Sequence, residues 1–279
     1  MFATMIKKST LCFAVGGALA AASPASAEIV GLWHFDGDYS DASGNGSTLG
    51  WAPGDAGFDD TNKQVGSHAL HAGNVSGVSS VVRLNLGPEA SALDGKTEVG
   101  LSFWVYRNAE ATGSARLFAF SKGQESDFGL QLTHKYQSSA HQYYLQNSGL
   151  GGFGGQWGHT VSIPYQEWTH VAITSDGETA RIFINNVQLS WTSAVNGDGI
   201  NLGNYLHLGG QSQGTGGRID SYIDEFIMYD GATDADWVDG VYQAGLAGQN
   251  IPEPGSAALA LGGALLLLSS RRRRVSMNS

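Results

Sequence analysis

Cysteine is almost absent from this chain, because Cys12 is its one cysteine in 279 residues. That residue falls within residues 1–27, which are predicted to be a secretory signal peptide. Lys7-Lys8 forms the positive n-region, and residues 11–22 form the apolar h-region. Ala25-Ser26-Ala27 is the small-residue cleavage site. Cleavage would leave a mature chain that starts at Glu28 and has no thiol. Disulfide bonds, zinc–thiolate sites and cysteine nucleophiles are therefore excluded from the mature chain.

Basic residues are scarce between the two ends. Of the 15 lysines and arginines, two lie in the signal peptide and four at residues 271–274, which leaves nine between residues 28 and 250. All 25 acidic residues lie from Glu28 onward. We therefore expect the domain to repel nucleic acid, and also acidic polysaccharides unless cations bridge them. The acidity favours solubility outside the cell, with divalent-cation affinity as the alternative interpretation.

Proline is also rare, with six residues against 40 glycines, and helical periodicity is weak. This composition is typical of short strands joined by tight turns, and residues 28–250 are enough for one all-β domain. One helix is predicted over residues 233–242, with Thr233 as its cap. Besides the segments discussed below, we expect strands at 79–86, 99–107, 115–122, 128–133, 142–146, 160–163, 205–208 and 221–229.

The most informative stretch is residues 167–190, EWTHVAITSDGETARIFINNVQLS. Its first part alternates as a strand does, and Asp176-Gly177 then supplies the positive φ angles of a tight hairpin. A second strand over 180–184 is followed by Asn185-Asn186, which makes another turn. The pattern predicts a three-strand antiparallel meander. His170, beside Trp168 in the first strand, is predicted to be a hydrogen-bonded core histidine.

Three segments carry a family resemblance. The meander resembles the central hairpin of LamG-like domains, which belong to the concanavalin A-like lectins and glucanases. Residues 31–46, GLWHFDGDYSDASGNG, resemble the first strand of that family, and residues 217–230, GRIDSYIDEFIMYD, resemble the last. The resemblance implies an all-β, concanavalin A-like jelly-roll β-sandwich of two antiparallel sheets.

Catalytic motifs are missing. Glycoside hydrolases on this fold carry alternating carboxylates as Glu-x-Asp-x-x-Glu on one strand, and the chain has no such string. The nearest segment is 220–225, DSYIDE, where Asp224 and Glu225 are expected to point to opposite faces of the strand. There is also no Gly-x-Ser-x-Gly or His-Glu-x-x-His, and the glycine-rich segment 149–154 lacks a βαβ context. We therefore predict that the protein is not an enzyme.

Aromatic residues in or near predicted loops are the candidate ligand-binding residues, because aromatic faces stack on the apolar faces of sugar rings. The alternative is that the loops fold these rings back onto the sheet edges. The candidates are Trp51, Tyr143, Tyr144, Phe153, Trp157 and Trp191.

A structural calcium ion is the candidate cofactor. The family resemblance implies a calcium site where the first and last strands meet, and the matching residues are Asp36 and Asp224. Calcium prefers six to eight oxygen ligands, which carboxylates and carbonyls can provide. The alternative is that both aspartates only accept hydrogen bonds from turn amides.

The C-terminus, residues 251–279, combines Pro252-Glu253-Pro254, an apolar run to Ser270 and a cluster of four arginines. The apolar run spans roughly 24 Å as a helix, which is short for a permanent anchor. This tail resembles the PEP-CTERM sorting signal of Gram-negative bacteria that make extracellular polysaccharide. The resemblance implies a transient transmembrane sorting helix and an exosortase-type membrane peptidase as partner, along with the secretion machinery.

The sequence therefore predicts a secreted, non-catalytic protein that binds extracellular polysaccharide or a matrix protein, with a final location at the cell surface or in the matrix. Two alternatives remain: a structural or adhesive surface protein that binds other proteins, and, less favoured, a glycoside hydrolase on the same fold.

Overall fold

The computed structural model is a β-sandwich with a helix on one outer face. It describes residues 28–53, 55–73, 75, 79–87, 92–108, 115–124, 128–137, 140–147, 157–195, 199–210, 217–231 and 233–251. The predicted signal peptide lies outside these residues, as does the predicted sorting tail apart from its first residue, Ile251. Within them, the helix is too short and too polar to cross a membrane.

The strands and the helix are named in chain order. Their bounds are β1 (Glu28–Trp33), β2 (Thr48–Trp51), β3 (Gly57–Asp59), β4 (Ala69–Ala72), β5 (Val82–Asn85), β6 (Glu98–Arg107), β7 (Ala115–Ser121), β8 (Phe128–Gln137), β9 (Ala140–Asn147), β10 (Trp157–Val161), β11 (Trp168–Asp176), β12 (Thr179–Ile184), β13 (Val187–Ala194), β14 (Tyr205–Leu208), β15 (Gly217–Arg218), β16 (Ser221–Asp230) and α1 (Ala235–Leu246).

The strands form two sheets of eight strands each. Sheet A has the order β13-β12-β11-β6-β16-β4-β3, with β1 also paired to β16. Sheet B has the order β10-β9-β8-β7-β14-β5-β2, with β15 paired to β7. All pairs are antiparallel except the short β15–β7 pair. The predicted jelly-roll sandwich of two antiparallel sheets is therefore confirmed.

The main core lies between the two sheets. Sheet A contributes side chains such as Phe103 and Phe226, which stack at 5.3 Å, and Phe118 of sheet B meets Phe103 edge-on at 4.9 Å. All three rings are almost completely buried. Aromatic pairs in these geometries add a favourable contribution to the burial of their apolar surface. Because each strand alternates, filling this core leaves one outer face on each sheet.

Helix α1 covers the outer face of sheet A. Val238 packs on Ala172 and Phe183, and Val241 packs on Leu32 and Ile227. The predicted cap was one residue too early: Asp234 caps the helix by accepting a hydrogen bond from the Trp237 amide. Thr233 is buried instead, and its hydroxyl donates to the Val99 carbonyl at 2.9 Å, which ties the helix entry to sheet A.

The predicted meander is confirmed. Strands β11, β12 and β13 pair in sequence, and Gly177 has a φ of 86° in the first turn. Asn185 and Asn186 adopt φ angles of 48° and 64°, the pair of positive values that a type I′ turn requires. Between residues 41 and 66, which the composition predicts as loop, β2 and β3 are two short additional strands.

His170 is a hydrogen-bonded core histidine, as predicted. It is fully buried, its Nε2 lies 2.7 Å from Ser102 Oγ, and its ring packs against both Trp104 and Tyr242. Burial lowers the pKa of His170 from 6.5 to about 3, because a charged imidazole would lose its hydration there.

We predict that acid destabilises the domain through this residue. The pKa of His170 is lower in the folded state, so below about pH 6.5 the unfolded chain binds a proton that the folded chain does not. The free energy of unfolding should therefore fall as the pH drops from about 7 to about 5. In His170→Gln this pH slope should be smaller, as measured by thermal unfolding. His159→Gln, at a partly exposed sheet edge, serves as the control. An unchanged slope in His170→Gln would contradict the prediction.

Candidate functional site

Three carboxylates lie where the first and last strands of the domain meet. Strand β16 pairs with β1 through residues 226–230 and with β4 through residues 221–223. Asp224 and Glu225 lie between these two paired regions. The segment of chain that runs beside this gap has no neighbouring strand there. Its backbone groups therefore form hydrogen bonds with side chains instead.

Asp224 replaces the missing backbone pairing. Its Oδ2 accepts hydrogen bonds from the amides of Gln64 and Val65 at 3.0 and 2.9 Å. The residue is fully buried, and its Oδ1 has no hydrogen-bond partner among the described residues. Burial raises the pKa of Asp224 well above its usual value, the two amide bonds oppose this, and the nearby charges of Glu225 and Asp36 add to it. Asp224 is thus a buried hydrogen-bond acceptor, and one of its two carboxylate oxygens, Oδ1, accepts no hydrogen bond from the described residues.

Glu225 has a different position from the one expected. A β-bulge between Asp224 and Ile227 and a φ of 48° at Glu225 break the strand alternation. The expectation that Asp224 and Glu225 point strictly to opposite faces is therefore wrong. Glu225 Oε1 pairs with His34 Nδ1 at 2.5 Å, and Oε2 accepts a hydrogen bond from the Ile251 amide at 3.2 Å.

Asp36 connects the two ends of the domain. Its Oδ1 accepts hydrogen bonds from the Ser67 and His68 amides and from the Ser67 hydroxyl, while Oδ2 accepts one from Asn250 at 2.7 Å. Burial alone would raise the pKa of Asp36, but the hydrogen bonds from Asn250, His68 and Ser67 outweigh it, and the pKa is lowered. The preceding residue, Phe35, is buried at a φ of 57°, which is strained backbone for an aromatic residue.

This cluster offers few free ligands for calcium. Donor groups already occupy both oxygens of Asp36, and Asp224 Oδ1 is the open carboxylate oxygen of the pair. Among the described residues, no three His, Cys, Asp or Glu side chains are arranged to hold a metal ion. The donor set as it stands does not form a calcium shell. The charge of Asp36 contributes to raising the pKa of Asp224, and calcium binding by these two residues stays a prediction.

A second group of polar residues lies on the outer face of sheet B. Register places these side chains on one face, because residues opposite each other in paired strands point the same way. Arg83 opposes His207, Asn85 opposes Tyr205, Arg116 opposes Thr133, and Arg218 opposes Arg116. We call this surface the polar face; it comprises Trp51, Arg83, Asn85, Arg116, Gln131, Thr133, Tyr144, Tyr205, His207 and Arg218.

Three arginines, Arg83, Arg116 and Arg218, contribute positive charge to the polar face. Arg116 donates a hydrogen bond to Gln131, and Arg83 lies over the ring of Tyr205 with its Cζ 5.5 Å from the ring centre. His207 is buried in this face, with its Nε2 2.9 Å from Ser121 Oγ. Burial, together with the charges of Arg83 and Arg116, lowers the pKa of His207 from 6.5 to about 4. His207 is therefore neutral at physiological pH, and the arginines carry the charge.

Three buried polar atoms on the polar face have no hydrogen-bond partner among the described residues: Arg83 Nε, Asn85 Oδ1 and Thr133 Oγ1. A buried polar atom without a partner costs about 1–3 kcal/mol. Neighbouring side chains shield all three atoms from solvent, so they are not themselves ligand contacts in this structure.

The predicted aromatic residues occupy different parts of the molecule. Trp51 opposes Arg83 and Tyr144 opposes Thr133, so both belong to the polar face and both are half-buried. Trp191 lies in β13, an edge strand of sheet A, where its ring packs 5.8 Å from the ring of His159 in β10. Phe153, the side chain of Trp157 and Pro252-Glu253-Pro254 lie outside the described residues.

The structure corrects the prediction for Tyr143. The prediction placed it in or near a loop, but it lies within β9, where alternation turns it inward, and it is 3% exposed. Its ring packs beside His134 and under the guanidinium of Arg107, whose Cζ is 4.7 Å from the ring centre. Tyr143 is a core residue in this structure and is not placed to stack on a sugar.

Sequence reasoning missed the arginines of the polar face. Arg83, Arg116 and Arg218 lie far apart in the sequence, and only the pairing of β5, β14, β7 and β15 brings them together. One signal was present in the sequence: each of these arginines lies in or beside an apolar alternation, where an outward-facing arginine needs a partner or a ligand.

The fold and its residues match a known family. The family model for the concanavalin A-like lectin/glucanases superfamily matches residues 78–239, more than half of the chain. The chain therefore belongs to this superfamily. No curated protein sequence matches the chain.

Solved structures share the fold at low sequence identity. Domain 4 of AbnA, a GH43 extracellular arabinanase from Geobacillus stearothermophilus solved in complex with arabinotriose, is 19% identical with a TM-score of 0.53, covering 78% of this chain and 99% of that one. The binding domain of botulinum neurotoxin serotype G is 16% identical with a TM-score of 0.57, covering 77% of this chain and 51% of that one. A structure of botulinum neurotoxin type C, whose cell entry depends on interaction with two ganglioside molecules, is 15% identical with a TM-score of 0.58. The match covers 78% of this chain and 51% of that one. The chain spans about half the length of these toxin chains, and at these identities the likeness shows the fold alone.

We predict that Asp224→Asn is at least as stable as the wild type in the presence of EDTA at neutral pH. The amide oxygen can still accept the hydrogen bonds of Gln64 and Val65, while the substitution removes a buried charge. Thermal unfolding measures the effect. Asp59→Asn is the matched control, because Asp59 also accepts two backbone N–H groups but is not fully buried.

The same measurement with millimolar calcium tests the predicted metal site. If calcium raises the melting temperature of the wild type and Asp224→Asn loses that increase, the calcium prediction is confirmed. If calcium leaves the wild type unchanged, Asp36 and Asp224 serve only as hydrogen-bond acceptors. A strong loss of stability for Asp224→Asn in EDTA would contradict the buried-charge argument.

Proposed function

We propose that the chain is a secreted, non-catalytic protein that binds carbohydrate or extracellular matrix through the polar face of sheet B. The observation that carries this proposal is the strand register, which places the half-buried rings of Trp51 and Tyr144 on the same face of sheet B as the polar side chain of Arg83. An aromatic ring next to converging polar groups is the usual composition of a site that binds a small polar ligand. Helix α1 lies on sheet A and does not cover this face.

The fold neighbours support a carbohydrate ligand. Domain 4 of the arabinanase was solved with arabinotriose, and a botulinum neurotoxin DC binding domain was solved in complex with SialylT. The superfamily contains both lectins and glucanases, so the fold alone does not decide between binding and hydrolysis. The missing carboxylate string and the hydrogen-bonded roles of Asp36, Asp224 and Glu225 favour binding.

The proposal includes export. Residues 1–27 are proposed to direct secretion across the inner membrane, and residues 251–279 to be read by an exosortase-type peptidase in a bacterium that makes extracellular polysaccharide. A structural calcium ion at Asp36 and Asp224 is part of the proposal. These three elements rest on the sequence patterns described above.

We expect Trp51→Ala to weaken carbohydrate binding by roughly tenfold, which corresponds to about 1.4 kcal/mol. The purified protein is first screened on a glycan array, and the affinity of the variants for the glycan found is then measured by calorimetry. Tyr165→Ala, which removes an aromatic ring that is 43% exposed outside the polar face, is the control.

Trp191→Ala separates the two candidate regions. If Trp191→Ala loses affinity and Trp51→Ala does not, the site lies at the β13 edge and not on the polar face. Release of reducing ends from the bound glycan would overturn the non-catalytic proposal. Absence of binding to any glycan would favour the alternative, a surface protein that binds other proteins.

The sorting proposal makes a separate prediction. In the native host, mass spectrometry of the protein extracted from the cell surface should detect peptides of residues 28–250 and should not detect peptides with Arg271–Arg274. The physical reason is the short apolar run after Pro254, which suits a transient membrane segment better than a permanent anchor. Recovery of the intact C-terminus from the surface fraction would contradict it.

A further inference from the structure

An open apolar groove runs between helix α1 and the paired strands β1 and β16. Its volume is about 380 Å³, which is within the size range of pockets that bind small molecules. Ile227 and Val241 at its floor are buried, whereas the residues of its walls are partly buried or exposed. The walls comprise Ile29, Tyr229, Trp237, Gly240, Ala244 and Ile251. No lining residue carries a charge, so the groove suits an apolar occupant.

The described part of the chain ends at this groove. Ile251 lines it, and its amide donates a hydrogen bond to Glu225 Oε2 at 3.2 Å. Asn250 Nδ2 donates to Asp36 Oδ2 at 2.7 Å, which holds the residue before it as well. The residues that follow Ile251 in the sequence therefore start at the edge of the groove.

The sequence that follows has the composition to fill the groove. Residues 256–270, SAALALGGALLLLSS, contain no charged residue. Ser256 is five residues beyond Ile251, so it lies at most about 18 Å away from it. Exposure of such an apolar run to water is unfavourable, as is exposure of the apolar groove. The two are complementary in chemistry and close together along the chain.

The charges at the other end of the groove also fit the tail. That end is formed by Ile29 and Trp237, which both lie beside Tyr229 near the end of β16. Each of the two is preceded by an exposed carboxylate, Glu28 and Asp236. The apolar run is followed by four arginines. A run that enters the groove beside the last described residue thus brings its positive end toward negative charge.

We propose that this groove holds part of the apolar run of the same chain, residues 257–268, until the run enters a membrane. The groove has room for only a few apolar side chains, whereas a bilayer can bury the whole run, so a membrane releases the tail from the groove. Docking in the groove keeps the run from associating with other chains in water. The inference depends neither on carbohydrate binding nor on removal of the tail.

Disulfide trapping in the full chain tests the proposal, because Cys12→Ser leaves no native thiol. Ala244→Cys places a thiol in the groove, and Leu261→Cys or Leu265→Cys places one in the apolar run. A disulfide forms only when the two Cβ atoms come within about 4.5 Å. We expect the faster of these pairs to form an intrachain disulfide at least roughly tenfold faster than the same tail cysteine paired with Gln243→Cys, because docking raises the effective concentration. Gln243 is the matched control, since it is exposed on the same helix and does not line the groove.

A substitution that fills the groove provides an independent test. A Cβ added at Gly240 meets no atom within 4 Å, so Gly240→Phe adds a ring without a clash and removes a glycine from the helix interior. This change should slow trapping by Ala244→Cys to the rate of the Gln243→Cys control. Gln243→Phe adds the same ring outside the groove and should leave trapping by Ala244→Cys unchanged. Vesicles of phosphatidylglycerol should slow trapping in the chain without either ring.

The outcomes identify the occupant. Equal trapping rates for Ala244→Cys and Gln243→Cys would overturn the proposal. A disulfide that links two chains through Ala244→Cys would also overturn it, because the occupant would then be a second copy. In a chain that keeps Cys12 and has no tail cysteine, a disulfide between Cys12 and Ala244→Cys would assign the groove to the signal peptide instead. A trapping rate that the vesicles leave unchanged would overturn release by the membrane.

Discussion

Hydrogen bonds to the three carboxylates Asp36, Asp224 and Glu225 hold together segments that the sheet itself leaves unpaired. Between β1 and β4, β16 has no strand neighbour on one side, and there Asp224 accepts the amides of Gln64 and Val65. Asp36 then joins the turn at 67–68 to Asn250, and Glu225 joins His34 to Ile251. These side chains thus connect the chain that follows α1 to the N-terminal half of the domain, in addition to the backbone pairing of β1 with β16. The buried charge and the positive φ angles at Phe35 and Glu225 are costs that this connection offsets.

This closure determines which surface is available for a ligand. Once β16 pairs with β1, β4 and β6, the chain continues into α1, which covers the outer face of sheet A with Val238 and Val241. Sheet B has its inner face in the core, and α1 does not cover its outer face. The polar residues there are held by strands on both sides, and a site on strands keeps its geometry more precisely than a site on loops.

Local patterns predicted the parts of the structure that depend on neighbours in sequence. Asn185-Asn186 predicted the second turn of the meander because two adjacent positive φ angles suit few other residues. Thr233 and Asp234 are both good caps, and only the contact of Thr233 with Val99 in β6 decided between them. Tyr143 turned inward because of its register in β9, which depends on pairing with β8 and β10. The polar face depends almost entirely on such long-range pairings, because no pattern in the sequence joins Arg83 to Arg218. The carboxylates Asp36 and Asp224 could be identified beforehand only through the family resemblance.

Acidic residues are divided unequally between the two sheets, and this changes what the net charge implies. The strands of sheet B contain no Asp or Glu, whereas the strands of sheet A contain seven. The composition predicted that nucleic acid and acidic polysaccharides would be repelled, and at long range the excess of acidic residues does act in that direction. Coulomb interactions between exposed charges are screened over about 8–10 Å at physiological ionic strength. The acidic strands lie across a core about 10 Å thick. A group bound on the outer face of sheet B would therefore respond mainly to the residues of that sheet and much less to the net charge.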